Sequence, residues 1–118
     1  GAALATGFPF RVQARIDTYL RVFKAVFLEA QSIRRAGSAA LDLAYVSAGI
    51  FDGFFELGLS PWDSAAGAVL VSEAGGLVTD FDGEGAWRSR GNILAAGPGV
   101  HAALARLVAG LGVRDADL

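Results

Sequence analysis

The sequence contains no cysteine, which excludes a disulfide scaffold and a thiolate metal site. A folded chain without disulfides suits a reducing compartment, so the cytoplasm is the expected location. Charge is also scarce. Only 19% of the residues are charged, against a usual quarter. The ten Lys and Arg are scattered, so no basic stripe for a nucleic-acid backbone is present. No apolar run approaches the ~20 residues that span a bilayer. The start, Gly1 to Thr6, has no charged n-region and is not a signal peptide. It lacks an initiator Met and enters directly into an apolar run, so the chain is expected to be cut from something longer.

What is present is apolar. Hydrophobic residues make up 53% of the 118, enough for one core in one domain. The low charge share points to apolar surface covered by a missing domain or a partner. The net charge of -2 adds no strong field.

Punctuation by Gly and Pro divides the chain. Ala2 to Phe8 is a short apolar strand closed by Gly7 and Pro9. Apolar residues at Val12, Ile16, Tyr19, Leu20, Phe23, Phe27 and Ala30 fall at helical spacing. Ile33 to Arg35 is a short strand. Ser38 suits an N-cap for a helix from Ala39 to about Ala48, closed by Gly49. Ile50 to Leu57 is aromatic-rich and predicts a strand. Ser60 and Pro61 start a third helix, which stops at Gly75-Gly76. Leu77 to Phe81 predicts a strand and Asp82-Gly83 a turn, with Ala86 to Ser89 extending a hairpin. Ile93 to Ala96 predicts a strand, and about Val100 to Leu111 a last helix. The tail after Gly112 is expected to fray. Alternating strands and helices predict a layered α/β domain, a sheet with helices on its faces.

Three places carry chemistry. Asp63, in Pro61-Trp62-Asp63, sits at N3 of a helix. Its carboxylate is a hard oxygen ligand of the kind Mg²⁺ prefers, or else it caps the helix and favours its dipole. Gly37-Ser38-Ala39 offers outward amides at a helix start, either for a sugar hydroxyl or anion or merely as an ordinary cap. Glu56 ends the aromatic strand, where it can accept hydrogen bonds from a polyol or simply face solvent. Asp80-Phe81-Asp82-Gly83-Glu84-Gly85 imitates a calcium loop, but position 12 is Gly91 and the preceding residues read as a strand, so an exposed hairpin turn is expected. His101, the single histidine, has no nucleophile partner in any evident motif and is expected at the surface.

The ordered set Ala3-Leu4-Ala5-Thr6-Gly7-Phe8-Pro9, Arg35-Ala36-Gly37-Ser38-Ala39-Ala40-Leu41-Asp42-Leu43-Ala44-Tyr45, Asp52-Gly53-Phe54-Phe55-Glu56-Leu57-Gly58, Pro61-Trp62-Asp63 with Ala66-Gly67, Glu73-Ala74-Gly75-Gly76 and Gly91-Asn92-Ile93 resembles the inositol monophosphatase family, in its bacterial form. The resemblance implies that residues 1–118 are the C-terminal domain of a sugar phosphatase whose N-terminal domain is absent. By that resemblance Asp63 is a metal-binding aspartate, and Glu56 contacts substrate hydroxyls. Gly37, Ser38 and Ala39 touch the sugar ring, while Trp62 and Gly67 are structural.

The implied activity of the complete protein is Mg²⁺-dependent hydrolysis of a polyol phosphate monoester, first of all myo-inositol 1-phosphate, by a cytoplasmic homodimer inhibited by lithium. Mg²⁺ would generate the attacking hydroxide and stabilise the leaving alkoxide. The rival readings are a sugar bisphosphate or a nucleotide 3′-phosphate as substrate, or a protein-binding module. The family's other metal ligands, a glutamate and an Asp-Pro-(Ile or Leu)-Asp-Gly-Thr motif, do not occur in this sequence. The 118 residues alone are therefore expected to be inactive.

Overall fold

Adjacent residues on the strands are buried together: Leu4 with Ala5, Phe54 with Phe55, and Ile93 through Ala96. A strand buried on both faces must lie inside a sheet covered on both sides. That is the arrangement found in a computed structural model, which describes residues 2–7, 15–34 and 37–118.

In chain order the elements are β1 (Ala3–Thr6), α1 (Ile16–Glu29), β2 (Ser32–Arg34), α2 (Ala39–Ser47), β3 (Gly53–Glu56), α3 (Pro61–Glu73), β4 (Leu77–Thr79), α4 (Trp87–Arg90), β5 (Ile93–Ala96) and α5 (Pro98–Gly110), followed by a 3-10 turn at Asp115–Asp117. The sheet order is β2-β1-β3-β5-β4. β1 is parallel to β2 and to β3, whereas β5 is antiparallel to β3 and to β4.

Period-two alternation sorts the core into two layers. Leu4, Phe55 and Leu94 pack with Tyr19, Val22 and Val26 of α1 and with Leu104 and Val108 of α5. Ala5, Phe54, Ile93 and Ala95 pack on the other face with Leu43 and Val46 of α2 and with Ala68 and Val71 of α3. α2 and α3 approach closely at Gly67, where an added Cβ would lie 2.5 Å from Leu43 Cβ. Ala65 and Ala66 stay exposed, so of that small-residue stretch it is Gly67 that makes room for a neighbouring helix.

Several elements differ from expectation. The aromatic strand is only Gly53–Glu56, because the N–H groups of Ile50 and Phe51 both turn back to Tyr45 O. β4 stops at Thr79, because the Asp80 carboxylate collects the N–H groups of Asp82, Glu84 and Ala86. No hairpin strand follows. Residues 87–90 form the short helix α4, and β4 pairs with β5 instead. α5 begins at Pro98, two residues early, since Pro suits the first helical position.

His101 is not at the surface. It is 6% exposed, and its Nε2 lies 2.7 Å from Thr79 Oγ1. The tail does not fray: Val113, Asp115 and Leu118 are buried. Asn92 Nδ2 donates to the carbonyls of Asp115 and Leu118, and Asp115 accepts from the Phe81 N–H at 3.0 Å. Asp82 accepts from Arg114 Nε at 3.0 Å, and this pairing holds the Asp82 carboxyl below the ordinary range. The expected helix residues 12–14, together with Phe8, Pro9, Arg35 and Ala36, lie outside the described residues.

Candidate functional site

β1, β2 and β3 run the same way, so their carboxyl ends share one edge of the sheet. β1 leaves that edge through Gly7. β2 leaves it through Gly37-Ser38 into α2, and β3 through Leu57 to Ser60 into α3. α1 returns along one face of the sheet, whereas α2 and α3 return along the other. In α/β sheets, ligands bind in the crevice opened where successive connections part to opposite faces. All the predicted site residues stand on these three exits.

Glu56 is the last residue of β3 and is half-buried. It has the same strand parity as Phe54, so its side chain leaves on the α2/α3 face. Gly37 and Ser38 are exposed and Ala39 is half-buried. Gly37 has φ +89°, a left-handed conformation that other residues rarely adopt. Ser38 caps α2 as its sequence suggests, its Oγ accepting from the Leu41 N–H at 3.3 Å. Asp63 occupies the first turn of α3, half-buried, with its N–H donating to Ser60 O at 2.9 Å. Trp62 beside it is 78% exposed. The structure thus brings Glu56, the Ser38 turn and Asp63 to one edge and one face, on three separate segments.

A metal does not fit these residues by themselves. Among the described residues no three His, Cys, Asp or Glu side chains gather where an ion could sit. Asp63 offers one carboxylate, and Mg²⁺ asks for near-octahedral oxygen coordination. The calcium-like segment is no substitute. Asp80 is 2% exposed and spends both carboxylate oxygens on backbone N–H groups, while Asp82 is paired with Arg114.

Two features went unread in the sequence. Asp42 is 1% exposed on α2, and its Oδ1 has no hydrogen-bond partner among the described residues. Burial pushes its carboxyl up to about 6. The signal was its place four residues before Val46, on the apolar stripe. The other is Thr6, fully buried, whose hydroxyl donates to Phe55 O at 2.8 Å and meets Tyr19 OH at 2.9 Å. No spacing rule connects those three residues.

Comparison with known proteins decides what this edge is part of. The model of the inositol monophosphatase family matches residues 1–112. The chain belongs to that family. Family membership puts the Ser38 turn, Glu56 and Asp63 on a phosphatase scaffold. "Nus factor SuhB" of Escherichia coli (strain K12) is 54% identical over 104 residues, covering 88% of this chain and 39% of that protein. The chain therefore spans about two-fifths of the length of the curated relatives it matches. The crystal structure of extragenic suppressor protein suhB from Bartonella henselae aligns with TM-score 0.86 and 44% identity, covering 91% of this chain and 41% of that one. Inositol monophosphatase from Anabaena (Nostoc) sp. PCC 7120 aligns with TM-score 0.84 and 41% identity, covering 92% and 43%. No helix among the described residues is long and apolar enough to cross a membrane.

Proposed function

We propose that residues 1–118 are the C-terminal, substrate-orienting domain of a phosphatase that hydrolyses a polyol phosphate monoester, with myo-inositol 1-phosphate as the leading substrate. The observation that carries this reading is the convergence of Glu56, the Ser38 turn and Asp63 on the carboxyl edge of the parallel strands. Glu56, ending a strand, accepts hydrogen bonds from ring hydroxyls. Gly37, Ser38 and Ala39 present backbone donors and a hydroxyl to the ring at a helix start. Asp63 contributes one oxygen ligand to a Mg²⁺ whose further ligands come from outside these residues. No residue within 1–118 is assigned as a nucleophile or a general base. The working protein is read as a cytoplasmic homodimer that includes its own N-terminal domain.

The test is hydrolysis of inositol 1-phosphate with Mg²⁺ by the complete protein. Asp63→Asn is expected to lower kcat/KM by about 10²-fold or more, the scale of losing a group that stabilises developing charge. The isolated 118 residues are expected to show no turnover. Robust activity from them, lost on Asp63→Asn, overturns this assignment of ligands. Assays of the complete protein with fructose 1,6-bisphosphate and a nucleotide 3′-phosphate separate the substrate alternatives.

The name of the Escherichia coli relative, a Nus factor, supports a second reading in which this domain serves a protein partner. Capture of a partner that survives Asp63→Asn together with Glu56→Gln favours that reading.

A further inference from the structure

Parallel pairing sets Thr6 opposite Phe55, and continuing that register sets Gly7 opposite Glu56. Gly7 is buried and is not among the glycines with positive φ. Its backbone therefore suits any residue, and what demands glycine there is space. A Cβ built on Gly7 would collide with Oε1 and Cδ of Glu56 and lie 3.1 Å from its Cγ. Apart from Gly7's own chain neighbours, those three atoms are the nearest to that position among the described residues, and all belong to one side chain. The Glu56 carboxylate lies folded over the bare Cα of Gly7. Immediately upstream, the Thr6 hydroxyl donates to Phe55 O and meets Tyr19 OH, so the two strand ends are tied together at this point.

We propose that Gly7 is a positioning residue: the space left by its missing side chain seats the Glu56 carboxylate and sets how well the enzyme selects substrates that carry ring hydroxyls. This rests on the reading that Glu56 accepts hydrogen bonds from those hydroxyls. The colliding atoms are the mobile end of a side chain, so Gly7→Ala displaces the carboxylate and leaves the fold in place. A Cβ at Gly67 or Gly91 instead meets the root of a side chain or backbone.

The experiment compares kcat/KM of the complete protein, with Mg²⁺, for inositol 1-phosphate and for 4-nitrophenyl phosphate, a monoester without hydroxyls. The ratio of the two measures hydroxyl selection. Gly7→Ala is expected to lower that ratio about tenfold, the scale of one misplaced polar contact. Glu56→Gln lowers it too, and the double variant Gly7→Ala with Glu56→Gln falls no further than Glu56→Gln alone, since both act on one contact. Gly7→Ala with Glu56→Asp, one methylene shorter, recovers part of what Gly7→Ala loses.

The melting temperature of Gly7→Ala stays within about 2 °C of the parent if the clash is absorbed by a flexible side chain. A larger drop that adding Glu56→Ala does not reverse overturns the proposal, because Gly7 would then be meeting something other than Glu56. A ratio untouched by Gly7→Ala but lowered by Glu56→Gln also overturns it, leaving the role of Glu56 standing. A ratio untouched by Glu56→Gln removes that role and this proposal with it.

Discussion

On the parallel side of the sheet, Glu56 and Asp63 sit half-buried where the chain leaves a strand or enters a helix. On the antiparallel side, Asp80 and Asp115 are buried at 2% and 0% exposure, and their oxygens are taken up by backbone N–H groups and by Arg90. The chemical group is the same and its setting differs. Parallel strands end in connections that diverge and leave a crevice, so a carboxylate there can face a ligand. On the antiparallel side Asp80 gathers the backbone donors of the loop that follows β4, and Asp115, in the tail after α5, accepts from the Phe81 N–H of that same loop. An acidic motif read without its topology does not distinguish the two, as the calcium-like segment from Asp80 to Gly85 illustrates.

The comparison breaks first at Gly91, which joins the two sides. Gly91 has φ +77°, its N–H donates to Trp87 O at 3.1 Å, its carbonyl accepts from the Leu59 N–H at 2.9 Å, and a Cβ there would strike the Leu59 backbone. Leu59 belongs to the segment that leads into α3 and Asp63. Gly91→Ala is expected to cost about 3–4 kcal/mol, strain and overlap combined, measured by urea unfolding. A loss within about 0.5 kcal/mol would mean that the two sides are not braced against each other at this point.

Asp115→Ala comes next, at about 3 kcal/mol, because it strands the Phe81 N–H and removes the partner of Arg90. Asp63→Asn is expected to change stability by no more than about 1 kcal/mol, the share of a first-turn carboxylate in helix stability. If the two variants unfolded at similar urea concentrations, the contrast between structural and site carboxylates would fail.

Asp42 stands between the two groups: it is buried like the structural acids, but its Oδ1 has no partner among the described residues. Its carboxyl rises from 3.8 to about 6 in the folded protein, so the folded state holds this proton more tightly than the unfolded chain. Its contribution therefore favours folding below pH ~4 and is lost as pH climbs to about 6. Asp42→Asn removes that penalty. Relative to the parent it gains about 2 kcal/mol between pH 4 and pH 7, then levels off, as chemical denaturation across that range would show. A gain that does not vary with pH would refute the titration. The smallest effect is that of Ser38→Ala, about 1 kcal/mol for the lost cap, in the same unfolding measurement.

Much of the scaffold was legible. The α2 cap at Ser38, the Pro-led start of α3 and the strand Ile93–Ala96 stand where their residues put them. These are local signals, set by capping, proline geometry and an apolar run between turns. Residues 86–89 predict a hairpin extension and instead lie largely in α4, because four residues carry too little periodicity to separate strand from helix. His101 is expected at the surface, yet it shares the stripe of Leu104 and Val108. Its ring is lodged by Thr79, 22 residues away, and burial pushes its pKa below the ordinary value. The tail carries no helical or alternating pattern, and what holds it is an amide at Asn92, 23 and 26 residues upstream of its two acceptors.

The sequence by itself determined most of the elements and the layered α/β class, because capping, periodicity and ordered motifs are properties of neighbours along the chain. Only the tertiary structure decided what surrounds each acid. Whether a carboxylate meets a backbone donor, an arginine or an open edge depends on strand order and direction, and those arise from contacts between residues far apart in the chain. The seating of Glu56 over Gly7 is the plainest case: 49 positions separate them, and it is the parallel pairing of β1 with β3 that makes them neighbours.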